Sequence, residues 1–134
     1  MEEALQVFAE DTSDILDRVE GMFARLIAEQ FDGDAFAEVQ GFLDEITATA
    51  EFFGFRRVAT LAGGIAQVIL RRAASLSSLP AGAKGPLRES VNAIRAILGE
   101  AAVSNAEPAG DDSVVLNALA MLAIASPKAV EPAA

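Results

Sequence analysis

The side chains that most often carry chemistry are missing: the 134 residues include no His, no Cys, no Trp and no Tyr. Ser-His-Asp and Cys-His catalysis, thiol nucleophiles, disulfides and zinc sites of nitrogen and sulfur ligands go with them. Carboxylates and hydroxyls remain. Asp11, Asp14 and Asp17 follow helical spacing and lack the glycine turn and ligand rhythm of a calcium loop, so they read as a solvated acidic face rather than a metal site. Asp32-Gly33-Asp34 reads as a turn. Gly82-Ala83-Lys84-Gly85 lacks the spacing and the Ser or Thr of a phosphate-binding loop, and no strand precedes it. No cofactor, metal or nucleotide is therefore expected. Ten Lys and Arg against twenty acids give a net charge of −10, the wrong sign for holding a nucleic-acid backbone.

The remaining polar residues must be positioned by a helical scaffold. With 52% hydrophobic residues the chain has enough apolar surface for one core. Leu5, Phe8, Thr12, Ile15, Leu16, Val19, Met22, Phe23 and Leu26 recur at spacings of three and four, which predicts one long amphipathic helix. Gly33, free to take positive φ, and Asp34, suited to cap, open a second helix from about Ala35 to Phe53. Gly54 ends it, and Val58, Leu61, Ala62, Ile65, Val68, Ile69, Ala73 and Leu76 mark a third. A loop from Ser77 to Gly85 leads to Pro86, placed to open a fourth helix carrying Leu87, Val91, Ile94, Ile97 and Leu98. Short connections make successive helices antiparallel neighbours, so the predicted class is all-α, an up-down four-helix bundle over residues 1–103. A linker over 104–112 precedes a short fifth helix over 113–126 and a flexible tail over 127–134. That fifth helix is apolar on nearly every side. Val115, Leu116, Leu119 and Leu122 must be covered by the bundle, by a second copy in a homodimer, or by a larger partner.

Placed at about 100° per residue, Phe36, Val39, Leu43, Ile46, Ala50 and Phe53 share one face of the second helix and should meet the core. The opposite face holds Gly41, Asp44, Glu45, Ala48, Glu51 and Phe52. Two small residues there lower the surface so that another backbone can approach, and a Phe points outward. On the third helix Gly63, Ala66, Gln67 and Leu70 fall off the core stripe, small or apolar where charge is expected. The Gly63-Gly64 pair costs about 1 kcal/mol per Gly against Ala inside a helix, so either close packing or a docking surface must offset it. The bland alternative is drift at Gly41 and Ala48, with Phe52 tucked under the fifth helix. Arg56-Arg57 and Arg71-Arg72 near the ends of the third helix read as solvated or paired with local acids.

The run Gly41-Phe42-Leu43-Asp44-Glu45-Ile46-Thr47-Ala48-Thr49-Ala50-Glu51-Phe52-Phe53-Gly54-Phe55, followed by Arg57-Val58-Ala59-Thr60-Leu61-Ala62, resembles the core of the histidine phosphotransfer (Hpt) domain family, in the form found at the N-terminus of the chemotaxis kinase CheA. Family members carry His-x-x-Lys-Gly-Ser-Ala on the second helix, then apolar residues and Gly-Phe. The resemblance spans about Leu5 to Leu98 and implies an antiparallel four-helix bundle, sometimes with a fifth helix. It also implies that Asp44 stands where the phosphorylated His would be, Thr47 in place of the Lys and Ala48 in place of the Gly. Ala66 replaces an acid that hydrogen-bonds the His.

With no His, a phosphohistidine relay cannot pass through this chain. The resemblance therefore implies a non-catalytic Hpt-like adaptor. Its partner would be a response-regulator receiver domain or a histidine kinase of two-component or chemotaxis signalling, held on the face around Asp44. Asp44 is either a fixed negative charge standing in for phosphohistidine or a polar residue left exposed. A structural or dimerisation module with a vestigial Hpt face is the alternative. An enzyme with Asp44 as phosphate acceptor lacks the acid cluster for magnesium and the Lys that receiver-type aspartates use. Met1-Glu2-Glu3 does not open a secretory signal, and Val114 to Ala125, broken by Asn117, falls short of the roughly 20 residues of a membrane span. A soluble cytoplasmic protein is expected.

Overall fold

A computed structural model of the chain describes residues 2–124, and every regular element among them is helical. The helices are α1 (Glu2–Gly21), α2 (Phe23–Ile27), α3 (Gly33–Phe53), α4 (Arg56–Ala74), α5 (Lys84–Ser104) and α6 (Ser113–Ile124), with a 3-10 turn at Ala81–Ala83 before α5. The all-α class is as the periodicity predicts. No helix among the described residues is long and apolar enough to cross a membrane. Residues 125 and 126 of the predicted fifth helix, and the predicted tail over 127–134, lie outside the described residues.

Several local expectations are corrected. The first helix is not continuous: after Gly21, Met22 takes φ −95° and ψ −4°, and its N–H bonds Val19 O at 3.1 Å, one residue short of helical spacing. Gly21, with its poor helix propensity, marks the break, and Phe23 and Leu26 remain buried beyond it. The cap of α3 is Asp32 rather than Asp34, its carboxylate accepting from Ala35 N at 3.1 Å. That hydrogen bond, then the one from Arg25, holds Asp32 below the ordinary carboxylate value of 3.8. Gly33 is helical and does not use positive φ. Helix α5 opens at Lys84, two residues before Pro86, which sits in the first turn where a missing N–H costs nothing.

Between α3 and α4 the expectation holds. Gly54 adopts φ +77°, and Phe55 N bonds Ala50 O at 2.8 Å, closing the helix with a left-handed cap. Buried Phe55 meets Phe8 of α1 edge-on at 5.3 Å, while Phe8 stacks on Phe53 at 4.8 Å, so the turn is pinned to α1. Helix α1 packs on α3 and α5, and α4 packs on the same two helices. Leu16, Leu26, Phe36, Leu43, Leu61 and Ile94 are among the side chains wholly buried between them. Arg95 of α5 bonds Glu20 at 2.7 Å and reaches Asp17, tying α5 to the acidic side of α1.

Helix α6 lies on α4 and α5. Leu119 is 1% exposed, and Val115, Leu116 and Leu122 are half-buried against the core. The close approach is at Gly64: a Cβ there would stand 3.0 Å from Leu119 Cδ1 and 3.5 Å from Leu116 Cδ2. Packing thus offsets the cost of Gly64, whereas a Cβ on Gly63 would meet nothing within 4 Å.

Candidate functional site

Helix α3 turns the two sets of residues as its periodicity predicts. Phe36, Val39, Leu43, Ile46 and Ala50 are buried and Phe53 half-buried, while Gly41, Asp44, Glu45, Ala48, Glu51 and Phe52 are all exposed. Phe52 is 83% exposed, its ring edge-on to that of its neighbour Phe53, so it does not tuck under α6. A Cβ on Gly41 would meet nothing within 4 Å, leaving the surface around Asp44 low and open. On α4, Gln67 and Leu70 are exposed, and Gly63 and Ala66 half-buried. Because α3 and α4 pack on each other, the residues singled out on each belong to one helix pair, but Ala66 is partly spent on the core.

Asp44 accepts one long hydrogen bond, from Gln40 Nε2 at 3.3 Å, and has no cation within ion-pair distance among the described residues. Thr47 donates its hydroxyl to Leu43 O at 2.9 Å and adds no charge. Among the described residues no three acids converge as a metal cage. Chemically, this face offers a carboxylate on a shallow surface flanked by small residues and a projecting aromatic ring. Glu45 and Glu51 add two further exposed carboxylates to the same face.

Two features were not legible in the sequence. Arg57 is neither solvated nor paired locally: Nε and Nη2 grip both oxygens of Asp112 at 2.8 Å, and Nη1 bonds Pro108 O at 2.8 Å. Glu107 adds a bond from Val58 N at 3.0 Å, occupying one orphan donor at the α4 N-terminus. A Cβ at Gly110 would stand 2.7 Å from the Arg57 guanidinium, so the segment before α6 lies flat on that side chain. Hydrogen bonding to Arg57 holds Asp112 below 3.8, and Arg57 is raised in return. Arg72, also expected to be solvated or paired, is 6% exposed with no ion pair among the described residues, and burial lowers its guanidinium value.

The second feature is a groove of about 490 Å³ between α1 and α3, floored by Val7, Phe8, Ile46 and Phe53. Val7 is the exposed member, 53% open, and it falls off the stripe that predicted α1. Compared with known proteins, the chain matches no family model, and no curated protein or solved structure is significantly similar to it.

Proposed function

We propose that the chain is a non-catalytic Hpt-like adaptor that docks a response-regulator receiver domain or a histidine kinase on the face around Asp44, in two-component or chemotaxis signalling. The observation that carries this reading is Asp44 itself: exposed, free of cation partners among the described residues, and set on a low surface between Gly41, Ala48 and the projecting Phe52. The reading includes an antiparallel four-helix bundle of α1, α3, α4 and α5. Its support is that α1 and α4 each pack on both α3 and α5. It also places the protein in the cytoplasm, where such partners reside. With no His anywhere, the adaptor modulates a relay without carrying phosphate. A carboxylate has one negative charge against roughly 1.5 to 2 on a phosphoryl group, so any imitation of phosphohistidine by Asp44 is partial.

Capture from lysate of the source cell tests it, with wild type, Asp44→Arg and Phe52→Asp as baits and retained proteins identified by mass spectrometry. Receiver domains or a kinase held by wild type and released by both variants are the expected result. Identical retention by all three baits, or retention of no signalling protein, overturns it.

A second reading, a self-associating structural module, draws on α6. Of the covers open to Val115, Leu116, Leu119 and Leu122, these side chains take the bundle, turning toward the core, and Val114, Met121 and Ile124 are left exposed. Light scattering that finds a dimer lost in Met121→Glu would favour this reading.

A further inference from the structure

We infer that the groove between α1 and α3 is a second docking surface and that its occupant is a cationic amphipathic helix of another protein. The proposal does not rest on the Asp44 reading, although Glu45 borders both surfaces. The floor is apolar, with Val7, Phe8, Ile46 and Phe53, while Glu3, Asp11 and Glu45 also line it and are exposed. None of these three acids forms an ion pair among the described residues. They stand in the most acidic part of the molecule: α1 carries seven acids against Arg18, and α3 five acids and no base. An apolar strip bordered by unpaired carboxylates complements a helix with an apolar stripe flanked by Lys and Arg.

Length and backbone chemistry agree with a helix. The lining residues on α1 run from Glu3 to Ile15, about 18 Å of helix, which matches roughly three turns of a partner. An extended segment would lay unsatisfied N–H and C=O groups against the apolar floor, whereas a helix satisfies its own. The described part of this chain has no such helix to offer a second copy. Helix α6 carries no charge, and basic α4, although Arg56 and Arg71 are exposed, has its apolar stripe of Val58, Leu61, Ile65, Val68 and Ile69 buried in its own core. Two acidic groove faces would also repel each other. The occupant is therefore a different, basic protein.

The probe is a fluorescein-labelled synthetic helix of about 18 residues, leucines at spacings of three and four and lysines elsewhere, titrated with the full chain by anisotropy. Saturable one-to-one binding is expected. Val7→Lys should weaken it at least tenfold, as should the pair Glu3→Lys and Asp11→Lys, whereas Asp44→Arg should stay within about twofold. A peptide of the same composition with scattered leucines should bind at least tenfold more weakly. Equal binding of the two peptides, undiminished binding to Val7→Lys, or a concentration-dependent dimer of the free chain that Val7→Lys dissolves would each overturn the inference. Should the variants fold poorly, amide shift mapping on the wild type decides: shifts centred on Val7, Ile46 and Thr49 sustain it, and shifts confined to α4, α5 and α6 sink it.

Discussion

At the scale of single residues, the grip of Arg57 on Asp112 is the most buried ion pair among the described residues. The side chains are 22% and 12% exposed, so the pair is worth more than a surface bridge. Asp112→Ala leaves a half-buried guanidinium with only the Pro108 carbonyl and should cost about 2 kcal/mol, read as a lower midpoint in urea unfolding. The pH response has a definite sign. Asp112 lies below 3.8 in the folded chain, so its stabilisation is complete above that value and is lost as pH falls through the lower folded one. Attachment of the 107–112 segment should therefore survive at pH 4 and weaken only under stronger acid, and Asp112→Asn should remove that acid limb. Asp44 is the contrasting residue: exposed, it should tolerate Arg with little change in stability, so any loss of partner binding in Asp44→Arg is not a folding effect.

At the scale of elements, the paired glycines of α4 separate cleanly. Gly63→Ala meets open space and gains helix propensity, so it should raise stability by up to about 1 kcal/mol. Gly64→Leu drives a side chain into Leu119 and Leu116 and should destabilise by about 1–3 kcal/mol, with faster hydrogen exchange in α6. A neutral Gly64→Leu would mean that Leu119 and Leu116 do not pack on Gly64 in solution. Both glycines were legible as a cost that something must offset. Which one faces a neighbour depended on where α6 lands, and α6, apolar all round, has no polar face to orient it in advance.

At the scale of the whole molecule, α6 decides how much apolar surface is covered. Ending the chain at Asn105 removes the Asp112 grip and the burial of Leu119, about 1.5–3 kcal/mol for that side chain alone. If α6 serves as a cover, the shortened chain should unfold at lower denaturant and associate through the uncovered side of α4 and α5. If α6 is the seat of a dimer, light scattering should show the reverse, a dimer for the full chain and a monomer for the short one. Charge is equally a whole-molecule property. The acids concentrate on α1 and α3, and α4 carries Arg56, Arg57, Arg71 and Arg72 with no acid, so the acidic and the basic helices would steer partners of opposite charge.

The sequence by itself determined the helical class, the inward stripe of α3, the glycine stop at Gly54 and the exposure of Asp44. Each of these depends on neighbours within a turn or two, and periodicity or a local cap expresses it directly. It was less able to place helix ends: the cap fell on Asp32 because Asp32 and Asp34 compete on either side of Gly33, and the break fell on Met22 next to Gly21, a weak helix former. Only the tertiary structure decided the rest. Arg57 and Asp112 lie 55 positions apart with nothing local to pair them. The α1–α3 groove belongs to two helix surfaces jointly, and Gly64 acquires its meaning from Leu119. These are relations between distant segments, set when the core chooses which faces meet.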